Sequence, residues 1–275
     1  MISIIINSYD GYSDCWVPFC KLLKKYFPES ENFEILLSTT NKIYEFDSLG
    51  LKTITHGNDA PWSKRLRQTL EQAKYDVVLP ISEDYFLKSK VNFEKFKYFV
   101  DLMYENNEID HIRLLRYRVR WKSNPSQFEY LEKINPITKH RFLYIPSLWK
   151  KKTLLKYLHD YEGAFMAEKM SGYRSWIRKD GFYSITEKYV ERYGQVYDTF
   201  NSGFIFKGKW VSWGIKFLDD ENFKIDFTKR GILTKEFMKR TRLQSKINIF
   251  KSPTLSIKSF GSVIILFFKS LFIKL

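Results

Sequence analysis

The sequence predicts an α/β fold with a mostly parallel central sheet flanked by helices. Short β-branched apolar runs alternate with stretches of helical periodicity, and polar loops follow the runs. No internal repeat and no long Gly/Ser or Pro linker breaks the pattern. A chain of 275 residues can bury a sizeable core as one large or two small domains. The one boundary the composition suggests is near 220, dividing a domain over 1–220 from a basic extension over 221–275.

The elements follow in order. Ile2 to Ile6 is an apolar run closed by the polar loop Asn7 to Ser13, as in a central parallel strand. Trp16, Phe19, Leu22, Leu23 and Tyr26 recur at helical spacing, with Asp14 at the capping position and Pro28 past the end. Strands are expected at Phe33 to Ser38, near Lys52 to Thr55 and at Val77 to Ile81, with a helix over Trp62 to Ala73 between the last two. An amphipathic helix over Asn92 to Asn106 precedes a strand at Ile112 to Tyr117 and a polar, aromatic stretch that suits hairpins. Pro146 and Ser147 introduce a helix over Leu148 to Leu158, and another helical stretch begins near Glu162. Residues 181 to 217, rich in aromatics and Gly, suit short strands or loops. Right-handed crossovers put ligands at the carboxyl ends of such strands, so the loops after the first, third and fourth strands are where chemistry is sought.

Charge is the unusual feature. Lys and Arg number 46 against 31 Asp and Glu, a net of +15, and 18% of residues are aromatic. That balance suggests nucleic acid, an anionic membrane surface or phosphorylated small molecules as partners. Eight cations follow Glu236 with no acid among them, which leaves +7 of the +15 on the first 236 residues. A charge excess gathered in a hydrophobic tail argues against nucleic acid. Cys15 and Cys20 cannot form a disulfide framework or a usual zinc pattern, and read as small hydrophobes in a reduced compartment. The N-terminus lacks the basic region of a signal peptide.

Three segments carry candidate chemistry. Val77-Val78-Leu79-Pro80-Ile81-Ser82-Glu83-Asp84 delivers two adjacent acids to the end of a buried strand. Carboxylate oxygens there suit Mg2+ or Mn2+, whose shell a diphosphate completes; the alternative is a polar loop with a helix cap. His56 to Arg65 is a strand-to-helix turn. Asp59 could accept from a ribose or base, Trp62 could support a planar group, and Ser63 and Arg65 sit where a helix start meets phosphate. Its alternative is a capped helix start with Pro61 in the first turn, and His56 reads as a hydrogen-bonded loop residue. Asn7 to Trp16, with Ser8 and Asp10, is a first loop suited to a nucleotide. It has neither a dinucleotide fingerprint nor a P-loop lysine, which argues against a dehydrogenase or a P-loop kinase.

In order, "SYDGYSDCWVPF", "THGNDAPWSKRLRQTLEQ" and "VVLPISEDYFL" resemble bacterial nucleotide-sugar glycosyltransferases of the GT-A fold that make surface polysaccharide and lipopolysaccharide. "PSLWKKKTLLKYL", "YEGAFMAEKMSG" and "FIFKGKW" fit the same resemblance, which covers about residues 1 to 215. It implies a GT-A-like domain and an inverting transferase that moves a hexosyl or related sugar from a nucleoside-diphosphate sugar to a saccharide or lipid-linked acceptor. Ser8, Asp10, Asp59, Trp62, Ser63 and Arg65 would contact the donor. Glu83 and Asp84 would stand in for the acidic metal element, here without its usual Asp-x-Asp form, and would hold Mn2+ or Mg2+. Glu168 matches the acid where an inverting enzyme keeps its general base, with Glu162 nearby and Phe165 in place of the family's tryptophan. An acceptor contact or a surface acid is the alternative for Glu168.

The tail has its own pattern. Ile257, Phe260, Ile264, Phe267, Phe268, Leu271 and Leu275 share one helical face, while Lys258, Ser262, Lys269 and Ser270 tend to the other. The longest uninterrupted apolar run, Val263 to Phe268, is far below the roughly 18 to 20 residues of a membrane span. An amphipathic helix on an anionic membrane surface is expected, with the enzyme peripheral on the inner face of the cytoplasmic membrane. The alternative is a helix packed on the protein's own core.

Overall fold

Ile4 and Ile6 belong to one buried cluster and Ile5 to another, so the first strand, β1 (Ser3–Asn7), carries apolar layers on both faces. A strand buried on both sides needs helices on both sides. The computed structural model, which describes residues 1–58, 60–116, 123–138, 140–234, 237 and 253–272, has that arrangement. β2 (Glu34–Thr39), β3 (Lys52–Thr55) and β4 (Val77–Ser82) run parallel to β1 in the order β3-β2-β1-β4. Helices α1 (Trp16–Tyr26) and α3 (Phe93–Glu105) fill one layer, and α2 (Trp62–Gln72) sits in the other. Asn92 caps α3 by accepting from the Lys95 amide at 3.1 Å.

The sheet then becomes mixed. β5 (His111–Arg113), β6 (Ser123–Pro125), β7 (Leu131–Ile134), β8 (Ser147–Lys150) and β9 (Phe182–Ile185) extend it to β3-β2-β1-β4-β8-β5-β9-β7-β6 among the described residues. β8 runs antiparallel to β4 and β5, and β9 parallel to β5. The α/β architecture read from the sequence is therefore present, with antiparallel pairs confined to the second half.

Three elements differ from the sequence reading. Residues 147–150 form a strand rather than the start of a helix over Leu148 to Leu158; only the short α4 (Lys151–Leu155) follows. All four strand residues are buried, and Trp149 packs on His111 and Phe182, so sheet pairing overrides the helical spacing. The strand expected at Ile112 to Tyr117 is the shorter β5, and Tyr117 lies outside the described residues. The aromatic region after β9 holds α6 (Glu187–Tyr193), the hairpin β10 (Ile205–Phe206) and β11 (Lys209–Trp210), and α7 (Ser212–Asp220). The helix begun near Glu162 is α5 (Ala164–Arg178).

Beyond α7 the chain stays on this body as far as residue 233. The Leu233 amide donates to the Trp210 carbonyl at 2.8 Å, and the Arg230 guanidinium pairs with Asp14 while lying 4.0 Å over the Tyr12 ring. The described chain resumes in α8 (Pro253–Phe272), 20 residues long. By length and composition, Thr254–Phe272 is apolar enough to cross a membrane, with a mean hydropathy of 1.6. The sequence reading counted only an uninterrupted run, whereas Lys258 and Lys269 interrupt the run without ending the helix.

Candidate functional site

Parallel register sets Ser38, Asn7 and Ser82 side by side at the carboxyl ends of β2, β1 and β4. The next residues after β4 are Glu83 and Asp84, 6% and 9% exposed. Among the described residues neither acid forms a salt bridge. Asp84 is clamped from the other end of the chain: its Oδ2 accepts from the Ile205 amide at 3.2 Å and its carbonyl from the Phe204 amide at 2.9 Å. Gly203 permits the clamp. It has φ +70°, and a Cβ there would sit 2.4 Å from Asp84 Oδ2. Burial raises both carboxyl pKa values. For Glu83 the charge of Asp84 adds to the rise, while Ser8 and Arg230 oppose it.

Of the other expected donor-site residues, Ser8 and Arg65 lie beside this pair. Ser8 is buried and accepts from Trp16 Nε1 at 2.8 Å, which fixes the first loop to α1. Asp10 turns away to organise the loop after β2, where its carboxylate accepts from the amides of Thr40, Asn41 and Lys42. Burial opposes its ionisation, yet those amides hold its pKa below the ordinary carboxylate value. Arg65 is buried, gives Nη1 to the Ala60 carbonyl at 2.6 Å, and lies in the field of Glu83. The Ser63 side chain is fully buried and its amide donates to the Glu162 carbonyl at 3.1 Å. Asp59 lies outside the described residues. His56 contacts Gln68 and Thr69 through its two ring nitrogens, as expected of a loop residue; a recess of about 380 Å³ beside it is lined by Thr55, Gln68, Glu71 and Gln72.

Tyr144, absent from the sequence reading, joins the two halves of the site. Its ring meets Trp62 edge-on at 4.7 Å, and its hydroxyl is buried beside Asn7, where burial and the Glu83 charge disfavour the phenolate. Its amide donates to Glu168 Oε2 at 3.2 Å. Glu168 Oε1 makes no hydrogen bond among the described residues. Burial raises the Glu168 pKa, against the Tyr144 amide and the charge of Arg113. The two candidate acids of this segment now separate. Glu162 is locked in a fully buried ion pair with Arg174, whereas Glu168 is half-buried. Nothing in a single sequence marks Tyr144, Arg113 or Gly203, because each matters only through where the chain returns.

Two buried carboxylates without a cationic partner suit Mg2+ or Mn2+ if a diphosphate and water supply the remaining oxygens; among the described residues no third His, Cys, Asp or Glu completes a metal cluster. Among the described residues the Ser38 and Ser63 hydroxyls, Arg65 Nε, the Asn7 amide and the Tyr144 hydroxyl, the last two beside each other, are buried without a geometrically formed hydrogen bond. Orphaned polar atoms gathered at the sheet's carboxyl end suit a polar ligand.

No family model and no curated protein matches the chain. Solved structures do. S. aureus TarS 1-349 in complex with UDP-GlcNAc aligns over 96% of this chain and 81% of that one, at 16% identity and a TM-score of 0.51. Another structure of TarS 1-349 aligns over 68% of this chain at 14% identity and a TM-score of 0.47, and there the chain spans 58% of the neighbour's length. A cytidylyltransferase from Leptospira borgpetersenii aligns over 85% of this chain and 98% of that one at 13% identity and a TM-score of 0.43. The first of these supports the architecture: the chain has a GT-A-like α/β fold.

Proposed function

We propose that the chain is an inverting glycosyltransferase that moves a hexosyl or related sugar from a nucleoside-diphosphate sugar to a saccharide or lipid-linked acceptor of the bacterial surface-polysaccharide kind. One observation carries this reading: Tyr144 sets its hydroxyl in the field of Glu83, one of the buried acid pair, and gives its amide to Glu168 Oε2, beside buried polar atoms that have no formed hydrogen bond among the described residues. The UDP-GlcNAc held by the TarS structure of the same fold supports a donor of that class.

Each group then has a task. Trp62 and Tyr144 form an aromatic wall for a planar base or sugar, and Arg65 offers positive charge to the diphosphate. Glu83 and Asp84 would hold Mg2+ or Mn2+, which offsets charge on the leaving diphosphate. Glu168 takes the proton of the acceptor hydroxyl as its oxygen bonds to the anomeric carbon. The bond from that carbon to the diphosphate oxygen breaks, and the diphosphate leaves with the electron pair. Burial, which raises its pKa, makes the Glu168 carboxylate a stronger base for this proton. Ser8 and Asp10 shape the loops around the donor.

Transfer assays with purified protein, Mn2+ or Mg2+ and candidate acceptors test the assignment. Glu168→Gln should lose transfer by about 10²-fold or more while keeping donor binding, and Asp84→Asn should lose both. Full transfer by both folded variants would overturn the assignment of the site.

A further inference from the structure

The C-terminal helix is docked the wrong way round for a soluble protein. α8 lies along α5, and it does so with its serine side: Ser259 is fully buried, Val263 nearly so, and Ser262 Oγ accepts from Arg174 Nη2 at 3.2 Å. Its large apolar side chains face outward. Leu255, Ile257, Phe260, Ile264, Ile265, Phe267, Phe268, Leu271 and Phe272 are all exposed, from 43% to 86%. Six of the seven residues that the sequence reading put on one face, Ile257, Phe260, Ile264, Phe267, Phe268 and Leu271, are exposed together, while Leu275 lies outside the described residues; the helix does pack on the protein's own body, as the alternative reading has it, but through its serine side. A continuous apolar face of this kind on a folded chain marks a partner or a membrane.

We propose that this outward face is a membrane-docking surface, and that its occupant is the headgroup and upper acyl region of an anionic bilayer, entered by a helix lying in the membrane plane. Charge supports a lipid occupant over a second copy of the chain. Lys258 and Lys269 are eleven residues apart, three turns of helix, so they share one edge, between the apolar arc and the docked serine face. Cations at that rim reach headgroups while the arc enters the acyl boundary. No acid follows Glu236, and the sequence adds Lys239, Arg240, Arg242, Lys246 and Lys251 ahead of the helix. A second copy would bring the same cations against each other.

Charge also favours the plane over a span, although α8 is long enough to cross. α8 is held to α5 through the buried Arg174–Glu162 pair, and Lys258 lies 4.3 Å over Tyr161. Threading α8 through hydrocarbon would draw those charges in with it or tear the contacts apart. The inference does not rest on the proposed reaction. If both hold, the helix that carries Glu168 is the one that meets the membrane through α8, which suits a lipid-linked acceptor.

Flotation of the full chain with vesicles tests this. It should float with phosphatidylcholine vesicles containing about 30% phosphatidylglycerol, and bind at least several-fold less to pure phosphatidylcholine or at high salt. Phe260→Ser/Phe267→Ser/Phe268→Ser should keep the wild-type Tm and lose at least 10-fold in binding. Lys258→Gln and Lys269→Gln should each lose about 5-fold, the equivalent of roughly 1 kcal/mol per cation at a charged surface. No flotation of the wild type, unchanged flotation of the triple variant, or a stable dimer that the triple variant dissolves and lipid does not would overturn the proposal. Fluorescent labels along 255–272, with nitroxide lipids as quencher, separate the two orientations. Quenching that repeats every three to four residues supports the plane, and quenching that varies smoothly with depth along the helix contradicts it.

Discussion

Replacing Glu83 by glutamine asks whether the buried acid pair is held at a cost to the fold. Glu83 is 6% exposed, and burial followed by the charge of Asp84 raises its pKa. The folded chain therefore keeps a proton that the unfolded chain releases at ordinary carboxylate pH. The sign follows: stability is greatest below that ordinary value and falls as pH rises toward the raised one. One proton of difference changes folding free energy by about 1.4 kcal/mol per pH unit. Between about pH 5 and pH 7 the wild type should lose up to about 3 kcal/mol through this group, or roughly 6–10 °C in Tm for a chain of this size. Glu83→Gln keeps the shape and removes the titration, so its Tm should fall less over that range and exceed the wild type's at pH 7 in EDTA. Adding Mg2+ or Mn2+ at pH 7 should raise the wild-type Tm and leave the variant nearly unmoved. Circular dichroism melts across a pH series read both effects. An unchanged pH slope in Glu83→Gln, or a lower Tm than wild type at pH 7, would refute the reasoning.

Gly203→Ala should cost about 2–4 kcal/mol in urea unfolding, from the left-handed backbone and the displaced Asp84 hydrogen bond; a loss below about 1 kcal/mol would mean that Asp84 is not clamped. Arg174→Met should destabilise by about 3–5 kcal/mol by leaving Glu162 buried and unpaired. Pairing it with Glu162→Leu should restore most of that loss, and a double-mutant cycle without coupling would contradict the ion pair. Tyr144→Phe removes a hydroxyl that lies beside Asn7 without a formed hydrogen bond among the described residues, so stability should be unchanged within about 1 kcal/mol while donor affinity drops roughly 5-fold. Equal donor affinity in a calorimetric titration would take that hydroxyl out of the site.

The first half of the fold was legible because its elements are locally consistent. Ile2 to Ile6, Val77 to Ile81 and the helix from Trp62 each satisfy propensity, period and flanking turn at once, and the structure places them within a residue or two of the reading. Residues 147 to 150 were misread because "SLWKKKTLLKYL" has helical spacing, whereas its fate was set by an open edge between β4 and β5. The acids at the end of β4 were legible for the same reason as the strand. Their clamp was not, since Gly203 and Ile205 reach Asp84 across some 120 residues of chain. Tyr144 sets its hydroxyl in the field of Glu83 and its amide on Glu168, a juxtaposition no local pattern encodes. In the tail, periodicity put Ile257, Phe260, Ile264, Phe267, Phe268 and Leu271 on one face, and all six are exposed, but which face would dock depended on the surface of α5.

The central claim is that Glu83, Asp84 and the groups around Tyr144 bind a nucleoside-diphosphate sugar. Isothermal titration calorimetry of the full chain against a panel of such donors, with and without Mn2+ or Mg2+, tests it most directly. One donor should bind at one site per chain, more tightly with the cation, and lose that affinity in folded Asp84→Asn. Failure of every donor and every free nucleoside diphosphate to bind the folded protein, or binding that Asp84→Asn leaves unchanged, would contradict it.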